Sequence, residues 1–281
     1  MDAWASCQRS SDQILAEGLY ALQAQPLLDH RQVVSKSPGN YLISLRGESY
    51  YIGEAKDLSS RIRKQFRPRT STFYKAYETP ASSAKVQIDS FRVQHIETEV
   101  GRKELEEFGI VNIPRRLNSF QLSKRERVAK ATTDALWLEI QGHREELLLQ
   151  GERLLWARPR IPWYEASVPH APGVYAVFSG GSNEVLYVGE SSDIGKRHET
   201  HSGRTYFSAL RRHIGTDILG FTLKVVKGRA RYFSADEDAK VDAFLKGCQV
   251  LFLPVSFGRV ELEEFLIMKH RPVLNRKGKA G

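Results

Sequence analysis

The stretch "VLYVGESSDIGKRHETH", Val185 to His201, decides how this chain folds. Its β-branched and aromatic start reads as a strand that ends at Gly189. A short polar turn follows, then a helix start that puts Arg197 and His201 on one helix face. An earlier stretch, "SYYIGEAKDLSSRIRKQ", Ser49 to Gln65, has nearly the same plan. It carries Gln65 where the later one carries His201.

The duplication extends in both directions. "GRKELEEFGIVNIPRRLN" (Gly101 to Asn118) aligns without a gap to "GRVELEEFLIMKHRPVLN" (Gly258 to Asn275), with ten of 18 positions identical. Upstream, "SPGNYLI" at Ser37 to Ile43 parallels "APGVYAV" at Ala171 to Val177. Such self-similarity marks a repeated structural unit. Each unit reads as a Pro-Gly turn, a strand, a hairpin turn, a strand ending in Gly, a helix, a variable middle and an acidic helix. "SFRVQHI" and "QVLFLPV" are predicted as matching third strands. "SADEDAKVDAFLKGC" is predicted as an extra helix of the second unit, capped by Ser234. "SDQILAEGLYALQAQ" is predicted as a helix capped by Ser11.

The fold class that follows is α+β: two small antiparallel-sheet domains flanked by helices and joined by a long helical linker. The expected boundaries are a helical segment over 1–36, a first domain over 37–120, a linker over 121–169 and a second domain over 170–281. Leu122 to Trp156 is predicted as one long helix, and the proline-rich "ARPRIPWYEASVPHAP" as the link into the second domain.

Composition narrows the function classes. The net charge of +9 favours an anionic partner, nucleic acid first. Two distant cysteines, Cys7 and Cys248, exclude a zinc spacing and a disulfide framework. They suit a reducing cytosol. The N-terminus has no basic region followed by an apolar core, and no apolar run approaches a membrane span, so a cytoplasmic protein without a membrane partner is expected.

The repeated polar residues carry the chemistry. Tyr175 and Tyr187 fall on neighbouring strands, where their hydroxyls can lie side by side. In the acidic helix, Leu266 sits about −60° and Ile267 about +40° from Glu263. A carboxylate so bracketed by apolar side chains needs a partner or a cation. One carboxylate can hold Mg²⁺ and leave room for water and phosphate oxygens. An arginine can stabilise charge developing on a phosphate. A tyrosine or histidine can orient or deprotonate a water. The set fits phosphodiester hydrolysis with one metal ion.

These residues resemble the GIY-YIG nuclease superfamily. The motif stands here as Gly173-Val174-Tyr175 with Tyr187-Val188-Gly189, and again as Gly39-Asn40-Tyr41 with Tyr51-Ile52-Gly53. Arg197 and Arg61 each lie ten residues past the second tyrosine. Glu263 to Asn275 and Glu106 to Asn118 are each twelve residues. The resemblance covers about two-thirds of the chain, roughly 37–120 and 170–281. It implies Mg²⁺- or Mn²⁺-dependent cleavage of one DNA strand per site. In the second unit it implies Glu263 as metal ligand, Arg197 as the phosphate-stabilising group, Tyr187 and Tyr175 as the groups that place or activate water, His201 as an assistant in proton transfer and Asn275 as a buttress. In the first unit Tyr41, Tyr51, Arg61, Glu106 and Asn118 are the counterparts, with Glu106 as candidate metal ligand. That unit departs from the pattern at Gln65, at Asn40 and at Gly109 in the acidic helix. Two alternatives stand: a first copy slowed or retired to DNA binding, or two live sites, one per strand.

"RIRKQFRPR", Arg61 to Arg69, with Phe73, Tyr74 and Tyr77 behind it, suits a surface that follows a phosphate backbone and offers stacking groups. Arg63, Lys64, Arg67 and Arg69 are its candidate DNA contacts, joined in the second unit by Arg204, Arg211 and Arg212. Such contacts hold phosphates without reading sequence. Restriction, repair and mobile-element cleavage are equally compatible with this set, and oligomeric state is not encoded in it. A non-catalytic DNA-binding protein built from decayed nuclease folds is the alternative class, and a protein-interaction scaffold a third.

Overall fold

The computed structural model describes residues 3–68, 71–77, 87–113, 117–118, 127–226 and 228–276. It divides into two compact units, Met1–Leu147 and Leu148–Gly281.

The first unit opens with helices α1 (Ala3–Arg9) and α2 (Ser11–Gln23). Strands β1 (Gly39–Leu45) and β2 (Glu48–Ala55) form a hairpin, followed by α3 (Leu58–Gln65) and α4 (Thr72–Tyr77). Strand β3 (Arg92–Glu97), α5 (Arg102–Asn112) and α6 (Ala135–Gly142) complete it. The antiparallel sheet has the order β2-β1-β3. Its apolar face packs Val33, Tyr41, Ile43, Tyr51, Leu58 and Phe73 into one core.

Helix α7 (Arg144–Trp156) leads into the second unit. There follow β4 (Ile161–Pro162), β5 (Gly173–Phe178), β6 (Val185–Ser191), α8 (Ile194–Ser202) and α9 (Ala209–His213). A small hairpin, β7 (Lys224–Val226) with β8 (Arg229–Tyr232), precedes α10 (Ala235–Lys246), β9 (Gln249–Pro254) and α11 (Arg259–His270). The main sheet has the order β4-β9-β5-β6, all neighbours antiparallel.

The two sheets share one register. Tyr41 pairs across to Gly53, and Tyr175 to Gly189. Each hairpin bulges at the same place, after Ile43 and after Val177. The glycine of each Tyr-x-Gly is fixed by its neighbour: a Cβ on Gly53 would lie 2.3 Å from the Tyr41 hydroxyl, and one on Gly189 2.4 Å from that of Tyr175. Both acidic helices start from a left-handed glycine, Gly101 (φ 90°) and Gly258 (φ 87°), a conformation glycine adopts at little cost. Asp57 and Asp193 cap the helices after the second strand by accepting from the Ser60 and Lys196 N–H groups.

Three sequence expectations change. The single helix over 122–156 is replaced, within the described residues, by α6 and α7, with a break at His143. The proline-rich link is partly built into the second unit: Ile161 and Pro162 pair with β9, and Trp163 is fully buried in the core. Ser11 lies inside α2. Ser10 takes the cap position without a side-chain capping bond, because α1 runs almost directly into α2. The helix predicted after Ser234 forms with a full capping box to Glu237.

Candidate active site

In the second unit, β5 and β6 set Tyr175 and Tyr187 side by side, ring centroids 6.1 Å apart. Tyr175 is 2% exposed, whereas Tyr187 reaches the surface in part. Helix α8 brings His201 behind Tyr175, with His201 Nε2 2.7 Å from the Tyr175 hydroxyl and Nδ1 2.6 Å from Ser208 Oγ. Ser208 Oγ accepts the Arg211 N–H and can donate its own proton to Nδ1. On that arrangement Nε2 carries the imidazole proton and points it at Tyr175. Tyr187 lies beside Tyr175 on the neighbouring strand. A hydrogen-bonded chain Ser208–His201–Tyr175 thus runs from the core to the neighbour of the part-exposed Tyr187.

The electrostatics follow from burial. His201 is held well below its ordinary value by desolvation, helped by Arg197, His198, Arg211 and Arg212. It is therefore neutral at neutral pH. Burial, with the Glu263 carboxylate nearby, pushes Tyr187 up to about 12, against the pull of Arg197 and of the neighbouring Tyr175 hydroxyl. Tyr175 is raised well above its ordinary value, mainly by burial. Tyr175, Tyr187, Arg197 and Glu263 thus lie within one another's fields, brought there by four elements. Arg197 is half-buried, and its Nε is fully buried without a hydrogen-bond partner. A buried donor left unpaired costs free energy unless a ligand meets it.

Among the described residues no cluster of three or more His, Cys, Asp or Glu side chains is placed to hold a metal ion. Glu263 offers one half-buried carboxylate on α11 in the field of Tyr187. The nearby Glu190, which the sequence reading missed, is held by the buried Arg259, whose Nε is 2.9 Å from it. The signal was available: both copies have Glu after Tyr-x-Gly and Arg after the helix-capping Gly. A one-carboxylate site fits Mg²⁺, which keeps most of its waters and takes phosphate oxygens.

Asn275 sits apart from this chemistry. Its Oδ1 accepts the Val188 N–H and its Nδ2 donates to the Val188 carbonyl, both at 2.8 Å. It clips the chain after α11 to the outer edge of β6, the strand that carries Tyr187. Asn118 does the same for Ile52 in the first unit. Asn275→Ala is expected to leave two buried backbone groups unpaired and to destabilise the second unit by about 2–4 kcal/mol. Urea unfolding followed through the Trp163 signal measures it. A loss below 0.5 kcal/mol, allowing ~0.5 for error, would show that water replaces the clip.

The first unit assembles its set differently. Tyr41 and Tyr51 are fully buried, their rings 6.2 Å apart. Gln65 Nε2 donates to the Tyr41 hydroxyl at 2.7 Å and lies 3.3 Å from that of Tyr51. Arg61 lies in the field of both tyrosines. Asn40 is a satisfied buried group, donating to the Arg102 carbonyl and accepting from Thr98. Gly109 leaves space for Ile52, whose Cδ1 would lie 2.2 Å from a Cβ there.

The DNA-contact expectations divide. Arg63, Lys64, Arg67 and Arg204 are exposed, and Arg69 lies outside the described residues. Arg211 is a correction. It is 1% exposed and ties Asp238 and Asp242 to Thr205, so it holds the core rather than facing a phosphate. Phe73 is likewise core, ringed by Tyr51, Phe66, Tyr77 and Phe91. Arg212 donates to the carbonyls of Thr205 and Tyr206 and lies near Arg197, Arg231 and Tyr187, at the edge of the site.

Exchanging His201 for the residue of the first copy separates its two roles. His201→Gln should keep the fold, since Gln65 holds Tyr41 in the same way. It should slow any hydrolysis at this site by ~10–100-fold, at or below the low end of the ~10²–10⁴-fold that a direct general acid or base contributes, because His201 reaches the site only through Tyr175. The pH dependence has a definite sign. The unfolded chain takes up a proton near the ordinary histidine value, about 6.5, while folded His201 does not. Its contribution to stability is therefore whole above that pH and lost as pH falls below it. Unfolding curves at several pH values should show a smaller acid loss for His201→Gln than for wild type. An identical acid loss would mean that His201 is not held neutral.

Residues 168–280 match the family model of the GIY-YIG catalytic domain. This identifies a nuclease-type fold in the second unit, and a nuclease domain implies DNA as substrate. No curated protein and no solved structure matches the chain.

Proposed function

We propose that the protein is a Mg²⁺- or Mn²⁺-dependent DNA endonuclease whose second unit hydrolyses phosphodiester bonds, and that the first unit is a second copy of the same domain type. The observation that carries the reading is the convergence of a half-exposed tyrosine, a carboxylate and an arginine whose buried Nε lacks a partner. A tetrahedral phosphate supplies the acceptor that Arg197 lacks. Glu263 would hold the cation, which supplies charge neutralisation at the scissile phosphate and a more acidic bound water. Tyr187, steadied through Tyr175, His201 and Ser208, orients the attacking water. Arg197 stabilises the charge that develops on the phosphate.

The exposed Arg63, Lys64 and Arg67 on the first unit, and Arg204 on the second, support phosphate contacts on each unit with low sequence specificity. Both cysteines are free and buried, which suits a reducing cytoplasm. Among the described residues no helix is long and apolar enough to cross a membrane.

The test is supercoiled plasmid, and a branched duplex in parallel, incubated with Mg²⁺ or Mn²⁺ and with EDTA. Metal-dependent nicking or linearisation supports the proposal. Salt-sensitive DNA binding with no cutting of either substrate, or of single-stranded DNA, would replace it with the non-catalytic binding protein.

A further inference from the structure

We infer that the first unit carries a built-in cation: the Lys103 ammonium occupies the metal position at Glu106, so this site takes no divalent ion and does not cut. The inference rests on reading Glu263 as the metal-holding residue of the second unit.

Three observations carry it. First, Lys103 Nζ and Glu106 Oε2 form a close ion pair on α5, one helical turn apart. Glu106 is almost wholly buried beneath it, at 5% side-chain exposure. The matching position in α11 is Val260, which has no charge to offer Glu263. A divalent cation would have to displace a charged, partly desolvated partner from a single carboxylate, whereas Mg²⁺ needs several sites for water and phosphate oxygen.

Second, the tyrosine that should meet water is covered. The Tyr51 hydroxyl bonds Thr72 Oγ1 at 2.8 Å, and Tyr51 is 1% exposed. Ser71 Oγ donates to the Gln65 carbonyl, and Gln65 Oε1 accepts the Phe73 N–H. The start of α4 is thereby fastened over the tyrosine pair. Tyr187, its counterpart, is less enclosed and stays half-buried. Third, Gln65 replaces His201, so the network behind the tyrosines has no group that can accept and return a proton.

The three changes belong together. A site with a resident ammonium gains nothing from an exposed tyrosine or a proton-carrying histidine. Each is replaced by a group that satisfies the same buried hydrogen bonds without chemistry. What remains is a rigid domain that presents Arg63, Lys64 and Arg67 to solvent.

The experiment is a Mn²⁺ titration of the full, isotope-labelled chain without DNA, read as paramagnetic broadening of backbone amide signals. Wild type should show broadening around Tyr187 and Glu263 and none around Tyr51 and Glu106. Lys103→Val, the residue of the second copy, should gain broadening around Glu106. Lys103→Met serves as a second variant of similar length, and both are checked for native spectra elsewhere. Broadening around Glu106 in wild type, or two folded variants that gain none, would overturn the inference. Loss of broadening at Glu263 alone would strike the metal reading of the second unit, and the gain in the Lys103 variants would still decide the first.

Discussion

Glu263→Ala should abolish DNA cleavage in Mg²⁺ or Mn²⁺, with a fall of at least ~10³-fold in single-turnover rate. The argument starts from position. Glu263 lies on α11 between apolar neighbours, half-exposed and in the field of Tyr187. Its neighbour Glu190 is already committed to Arg259 and does not replace it as a cation ligand without breaking that pair. The helix itself is held by Leu262 and Leu266, both fully buried, so truncating Glu263 leaves the packing intact. DNA affinity without metal should stay level or rise, because a negative charge next to a phosphate is removed. Plasmid nicking and equilibrium DNA binding, measured on the same preparation, separate the two effects. A variant that still cuts within tenfold of wild type (~1.4 kcal/mol) would sink the assignment of Glu263. A variant that loses binding in proportion to cutting would make Glu263 a structural residue.

Much of this architecture is visible in the sequence because the constraints are local. Tyr-x-Gly repeats since the cross-strand tyrosine lies over the glycine, and any Cβ would collide with its ring. The Gly before each acidic helix repeats since the turn there is left-handed. Asp57 and Asp193, each four residues past the glycine of Tyr-x-Gly, cap the next helix. The helix break at His143 was hidden because Leu122 to Trp156 is uniformly rich in helix formers, and propensity alone does not mark where tertiary packing interrupts a helix. Trp163 was hidden by prolines, which read as a link although Pro162 sits on an edge strand, where its missing N–H costs nothing.

Charge was the least legible part of the site. Arg204, Arg211 and Arg212 are equally basic in the sequence, yet only Arg204 is fully exposed. Arg211 finds Asp238 and Asp242 on α10, some thirty positions later, and no spacing rule foretells that partnership. Lys103 was passed over for the opposite reason. It stands three residues before Glu106, an ordinary helical ion pair on paper. Only the burial of Glu106, and Val260 in the other copy, turn that pair into a statement about the site. His201 was legible as a residue but not in its role. It does not face solvent; it hydrogen-bonds the Tyr175 hydroxyl from within the core.

Arg197→Ala should lower the single-turnover rate by ~10²–10³-fold while changing DNA affinity little, the loss typical of a donor aimed at developing charge. The unpartnered Nε is the reason. Arg61, its counterpart, lies in the field of Tyr41 and Tyr51, both fully buried. Arg197 instead leaves a buried donor unsatisfied in the same fold, which is tolerable if a phosphate oxygen completes it in the complex. Arg197→Lys restores the charge but not the planar fork, so it should recover only part of the rate. The two variants together distinguish geometry from charge. Lysine at wild-type rate would mean that Arg197 acts as a point charge only. Alanine that weakens DNA binding but leaves the single-turnover rate unchanged would make Arg197 an anchor for the backbone, and the stabilising role would pass to Arg212, the other arginine in the field of Tyr187.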